Sequence, residues 1–220
     1  RNALCMFDRC ADERSVAKHK RAAVIAVIDY GAGNLRSVTN VLDLLQAEYQ
    51  VVCDASSISQ ASKVLLPGVG HFGQLSDAIN RLDLRSALID QIGAGIPYLG
   101  ICLGMQVLFS GSDESPESKG LGIFDASVHK FESSERVPHM GWNTLESQAP
   151  SVLVEASQVQ ERAYFAHSYF CPVVPSTTFT CEYGSVFSAV VEHNNVFGVQ
   201  FHPEKSAQFG VGVIQKFVGL

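Results

Sequence analysis

The sequence predicts an α/β fold: a mainly parallel central sheet flanked by helices, with a smaller antiparallel extension. Three observations lead there. Short runs rich in valine, isoleucine and leucine, such as AVIAVIDY (23–30) and IPYLGI (96–101), lack polar alternation, as strands buried on both faces require. Segments with apolar residues at helical spacing alternate with these runs, the rhythm of a parallel sheet. The chain then leaves its apolar runs through YGAGN, PGVGHFG, GICLG and FHPEKS, and in open parallel sheets ligands sit beyond the carboxyl ends of the strands.

Taken in order, AVIAVIDY is the first strand. NLRSVTNVLDLLQA (34–47) has Leu35, Val38, Val41, Leu42 and Leu45 on one helical face. YQVVC and SKVLLPGVG read as the second and third strands. LSDAINRLDLRSALIDQIGAG reads as helical segments that stop at glycines. IPYLGI is a fourth strand, and LGMQVLF opens a further helix. From about Gly120 to Val191, short strands punctuated by Gly, Pro and Ser suggest the antiparallel extension. NVFGVQFHPEKS returns to a buried strand with a polar tip, and GVGVIQKFVGL closes the chain as a helix. No internal repeat or low-complexity tract interrupts this order, so one domain, 23–220, is expected.

Composition narrows the function. Of the 220 residues, 46% are hydrophobic and 17% charged, which supports a substantial core. No window approaches the 18 consecutive apolar residues of a membrane span. A formal net charge of -6 argues against a general nucleic-acid binder, though not against a local basic face. Cys5, Cys10, Cys53, Cys102, Cys171 and Cys181 form no CxxC pair, which disfavours structural zinc and a disulfide scaffold and suits a reducing compartment. Residues 1–22 lack periodicity, are more basic than acidic and do not begin with Met. They read as an extension outside the fold, from a trimmed precursor or a fragment. Asp8, Asp12 and Glu13 weaken a transit-peptide assignment, and the compartment expected is the cytoplasm, or the plastid stroma if the extension is a transit remnant.

The chemistry gathers at the strand ends. GICLG places Cys102 between two glycines where a strand turns into a helix, the logic of a nucleophile elbow, with the helix N-terminus favouring the thiolate. Taken alone, the pattern fits a structural cysteine in a tight turn equally well. His202 and Glu204, two apart at a strand end, project to one side; His202 can take the thiol proton while Glu204 fixes its tautomer. The glycine-rich PGVG can present backbone N–H groups, so Val69 and Leu103 are the expected oxyanion donors. Gln106, one helical turn beyond Cys102, shares its face. Neither PGVG nor YGAGN fits a P-loop or a dinucleotide fingerprint.

PGVG, GICLGMQ and FHPEKS, in this order and spacing, resemble the class I (triad-type) glutamine amidotransferases. IDYGAGNLRSV, LLPGVGHFG, VPHMGWN, YFAHSY and VQFHPEKS narrow the resemblance to the glutaminases of imidazole glycerol phosphate synthase, from about Val24 onward. The resemblance implies the three-layer fold of that family and hydrolysis of glutamine through a thioester on Cys102, with His202 and Glu204 completing the triad. It implies that Gly70, Gln106, Ser168 and Tyr169 contact glutamine, and that no cofactor or metal takes part. It also implies a (β/α)8-barrel cyclase, a separate subunit or a fused C-terminal domain, that receives the ammonia; this chain stops where the glutaminase fold would. Asn34, Trp142 and Lys205 are then expected at the interface, against the plainer readings of helix cap, core tryptophan and solvated lysine. Two other readings stay open: the glutaminase of another amidotransferase, such as pyridoxal phosphate synthase or anthranilate synthase, and a non-catalytic scaffold of the same fold.

Overall fold

The computed structural model describes residues 24–32, 34–132, 136–155 and 162–220. The expected N-terminal extension, 1–22, lies outside these residues. Strand β1 (Ile25–Ile28) pairs in parallel with β2 (Tyr49–Val52) and β3 (Lys63–Gly68), and β4 (Tyr98–Cys102) continues the sheet beside β3. Strands β1 and β4, and β3 beyond Lys63, are apolar because both faces are covered, whereas β2 lies at the sheet edge and leaves Gln50 and Val51 exposed. Ile25 and Val27 pack into one core while Ala26 and Ile28 pack into the other. In β3, Leu65 faces the first core, and Val64 and Leu66 face the second.

Helices supply the two outer layers. Helix α1 (Leu35–Leu44) buries Val38, Val41 and Leu42 in the first core. Helix α2 (Ala55–Gln60), which periodicity does not reveal, is started by Asp54, whose carboxylate accepts from the Ser57 N–H at 2.9 Å. With α3 (Phe72–Arg81) and α4 (Leu84–Gly93), it covers the second core.

After β4 comes one correction. The helix expected from LGMQVLF is a single turn, α5 (Leu103–Gln106), and β5 (Phe109–Ser112) follows almost at once. The carbonyls a longer helix would use are taken by another segment. Leu121 N–H donates to Val107 O at 2.6 Å and Ile123 N–H to Leu108 O at 2.8 Å.

The second half holds the expected antiparallel strands, distributed over three sheets. Strand β6 (Phe124–Lys130) pairs with β5, while β7 (His139–Thr144) is followed by the two-residue β8 (Glu146–Ser147). Strand β9 (Arg162–His167) pairs with β7 as a separate ribbon, and β10 (Tyr169–Phe170) pairs with β6. Strands β11 (Thr177–Tyr183) and β12 (Ser185–His193) join the main sheet, which β13 (Val196–Val199) links to β4 in parallel. The eight-stranded order is β2-β1-β3-β4-β13-β12-β11-β8. Helix α6 (Ala207–Val218) closes the first core with Phe209, Val213, Ile214 and Phe217. No helix among the described residues is long and apolar enough to cross a membrane.

Candidate active site

Cys102 is the last residue of β4 and stands at φ 54°, ψ −106°. A non-glycine residue held there costs about 1–3 kcal/mol, which the surrounding packing must offset. The Tyr98 hydroxyl helps by donating to Gly104 O at 2.9 Å, tying the strand to the turn that follows it.

Because β13 runs parallel beside β4, with Val199 opposite Ile101, the chain leaving β13 emerges next to Cys102. This register brings His202 to the thiol across a hundred residues. The strand itself ends at Val199, and Pro203–Lys205 form a 3₁₀ turn. His202 and Glu204 therefore meet through a turn and not through the strand alternation expected from their spacing; Pro203 cannot donate to a ladder. His202 Nδ1–H donates to Glu204 Oε1 at 2.8 Å, both side chains being buried. The backbone is pinned as well: His202 N–H donates to Tyr164 O at 2.8 Å, and the Ser206 hydroxyl to His202 O at 2.6 Å. Burial disfavours charge on His202, but the hydrogen bond and charge of Cys102, then those of Glu204, outweigh it and raise the imidazole above its ordinary range. The arrangement favours a protonated imidazole beside Cys102.

A pocket opens over the thiol. It is lined by Cys102 together with Val69, Gly70, Leu103, Gln106, Ser168 and Tyr169, and also by Glu114 and His167. Every residue expected at the oxyanion or the substrate is thus gathered on one wall or another. The Val69 N–H, however, donates to the Tyr30 hydroxyl at 3.0 Å, and that hydroxyl donates to Val69 O at 2.9 Å. In this structure it is held by Tyr30. Gln106 is buried, and its Nε2 donates to Tyr169 O at 2.8 Å and to Gln200 Oε1 at 3.1 Å.

Of the expected interface residues, two come together. Trp142 is 48% exposed on β7, so the core-tryptophan reading does not hold. It meets Tyr164 edge-on at 5.8 Å, and Lys205 Nζ lies 5.7 Å from the same ring's centroid. Asn34 precedes α1 and makes no side-chain cap, so the helix-cap reading fails too.

Several residues at the site were given no role by the sequence reading. Glu114, the one carboxylate lining the pocket, accepts from Phe72 N–H at 2.7 Å; nothing in its surroundings in the sequence marks it. Tyr30 and Gln200 were visible as polar groups ending apolar runs. His139 and His167 face each other across the β7–β9 ribbon, with Nδ1 of His139 3.3 Å from Nε2 of His167. Tyr169 O accepts from His167 Nδ1 at 2.9 Å, which makes His139 Nδ1 the donor of the pair. Burial lowers both pKa values, to about 4 for His139 and about 3 for His167. Both are therefore neutral when folded at pH 7. Below about pH 6.5 the unfolded chain takes up protons that the folded chain refuses, so stability falls as pH drops from 6.5 toward 4, by roughly 1.4 kcal/mol per pH unit for each histidine. Urea unfolding at pH 7.5 and pH 5 checks this: His139→Gln is expected to lose about 2 kcal/mol less than the parent over that interval. Equal losses would remove His139 from the account.

The class-I glutamine amidotransferase profile matches residues 26–218. The chain belongs to that family. Among relatives, it is similar to the imidazole glycerol phosphate synthase subunit HisH of Oceanobacillus iheyensis, 40% identical over 88% of this chain and 98% of that protein. The subunit HisH of Chlorobaculum tepidum is 42% identical over 88% and 98%. Solved structures superpose on it at much lower identity. A glutamine amidotransferase crystal structure matches with TM-score 0.70 at 17% identity, covering 90% of this chain and 100% of that one. The PurLQS structure from Thermotoga maritima matches with TM-score 0.70 at 18% identity, covering 89% and 97%. For this class I amidotransferase, the eight-stranded mixed sheet between helical layers is the family architecture.

Proposed function

We propose that this chain is the glutaminase of imidazole glycerol phosphate synthase, hydrolysing glutamine and passing ammonia to a cyclase in histidine biosynthesis. One observation carries the chemistry: a buried imidazole, oriented at 2.8 Å by Glu204, lies behind Cys102, whose thiol lines a pocket. The identity of about 40% to HisH subunits along nearly the whole fold supports the acceptor.

In the reaction, Cys102 Sγ attacks the side-chain amide carbon of glutamine. The carbonyl oxygen takes up the electron pair, facing the N–H groups of Leu103 and, once freed from Tyr30, of Val69. His202 gives its proton to the amide nitrogen, the C–N bond breaks, and ammonia leaves a glutamyl thioester. His202 then takes a proton from water, which attacks the thioester and releases glutamate and the thiolate. Glu204 keeps the imidazole in the right tautomer. The Glu114 carboxylate suits the α-ammonium of glutamine, while Gly70, Gln106, Ser168 and Tyr169 hold the rest. A free thiol nucleophile suits a reducing compartment, and we assign the chain to the cytoplasm, or to a plastid stroma if residues 1–22 are a transit remnant. The cyclase, a (β/α)8 barrel, docks over the exposed Met140 and Trp142 and over Lys205, with Asn34 at the margin.

Glutaminase turnover measured with different acceptor synthases tests this reading. The imidazole glycerol phosphate synthase cyclase, with its nucleotide bound, is expected to raise turnover well above that of the isolated chain, where Tyr30 holds the Val69 N–H. A rise with a pyridoxal phosphate or anthranilate synthase partner instead would assign the chain elsewhere, and full turnover without any partner would overturn the role given to Tyr30.

A further inference from the structure

Gln200 is fully buried at the end of an apolar run, and it belongs to no role described so far. Its backbone N–H donates to Ala189 O at 2.9 Å, which fixes it against β12. Strand alternation turns its side chain to the side of Gly198, whose position is packed against Met105 of α5. A carboxamide placed there must be hydrogen-bonded or it costs the fold a few kcal/mol.

Its partners define a direction. Gln106 Nε2 donates both to Tyr169 O and to Gln200 Oε1, at 2.8 and 3.1 Å. The oxygen of Gln200 therefore faces Gln106 and its amide nitrogen faces Cys102, donating to Sγ at 3.6 Å. The reversed amide would set two donors against each other and turn an oxygen toward the sulfur. His167, donating to the same Tyr169 carbonyl, secures the far end.

We propose that Gln200 is a positioning residue for the nucleophile, a buried neutral donor that holds the Cys102 sulfur and favours its thiolate. The inference rests on the reading of Cys102 as the glutaminase nucleophile. An N–H aimed at sulfur stabilises the thiolate more than the thiol, during attack and again when the thioester breaks. The titratable groups around the sulfur are His202 with Glu204 behind it, Tyr30, Cys171 and, across the pocket, His167 and Glu114. Gln200 is the donor among them whose contribution does not change with pH.

The test uses the chain in complex with its cyclase. For Gln200→Met, alkylation of Cys102 by iodoacetamide at pH 7 is expected to slow about tenfold, and kcat to fall about tenfold with KM within twofold. Gln200→Glu keeps the shape and the acceptor for Gln106 but turns a carboxylate oxygen to the sulfur, and is expected to lose more than Gln200→Met. It also serves if the methionine variant does not fold. A merely structural role would loosen the elbow and leave alkylation unchanged or faster, and that result, or an unchanged kcat, overturns the proposal. Cys102→Ala, assayed alongside, separates the two failures: if it stays active the glutaminase reading falls, whereas if it is inactive while the Gln200 variants match the parent, only the role of Gln200 falls.

Discussion

Cys102→Ala is expected to reduce glutamine hydrolysis in the cyclase complex by at least about 10³-fold, with any residual rate due to binding and oxyanion stabilisation alone. In the proposed mechanism the thiol is the nucleophile, and His202 and Glu204 have no proton to move without it. Stability adds a second readout. At φ 54°, ψ −106°, a side chain carries strain that glycine does not. Cys102→Gly is therefore expected to be equally inactive yet about 1 kcal/mol more stable than Cys102→Ala. Ammonia release and thermal unfolding of both variants check this. Retained hydrolysis by the alanine variant would remove Cys102 from the mechanism, and equal stabilities would mean the elbow stores no strain.

Gly104→Ala is expected to be the most damaging small change near the site, destabilising by about 3 kcal/mol or more and lowering the melting temperature by roughly 10 °C. A Cβ on Gly104 would overlap the carbonyl oxygen of Leu66 in β3, and the Leu66 side chain lies 3.3 Å from the same point. Backbone, unlike the tip of a long side chain, cannot swing aside. The neighbouring glycines share the constraint: a Cβ on Gly100 would overlap Gly104 O, and one on Gly68 would meet Gly104 N at 2.6 Å. These three glycines let α5 press onto β3 and β4, which sets the height of Cys102. Gly93→Ala, at the end of α4 with open space around it, is the control and is expected to be neutral or stabilising by up to about 1 kcal/mol. Differential scanning calorimetry of the two variants decides; a Gly104→Ala melting point equal to the parent's would mean the close approach is not there.

Much of this was legible in the residues. The unalternating runs of β1, β3 and β4 announce strands covered on both faces, because a strand between two helical layers has no side left for water. The grouping of Cys102, His202 and Glu204 proposed as a triad was legible too, since such chemistry needs cysteine, histidine and carboxylate at strand ends, and only a few positions offer them. Helix α2 was missed because six residues carry too little periodicity, and the brevity of α5 because the carbonyls just beyond it, of Val107 and Leu108, are claimed by residues 121 and 123. Glu114 was missed because a carboxylate in a polar stretch looks like any solvated one until the fold folds it inward.

By itself, then, the sequence determined the α/β layering, the elbow and the three residues proposed as a triad, all of which depend on local pattern and on chemistry. The tertiary structure alone decided who meets whom. The parallel register of β13 on β4 brings His202 to Cys102, a turn closes His202 onto Glu204, and Tyr30 holds the Val69 N–H. The chain from Tyr169 O through the buried amides of Gln106 and Gln200 to the sulfur likewise forms only once β10, α5 and the residues following β13 are packed together. The physical reason is that hydrogen-bond partners distant in sequence are chosen by burial, where each donor must find an acceptor, and burial is a property of the folded chain.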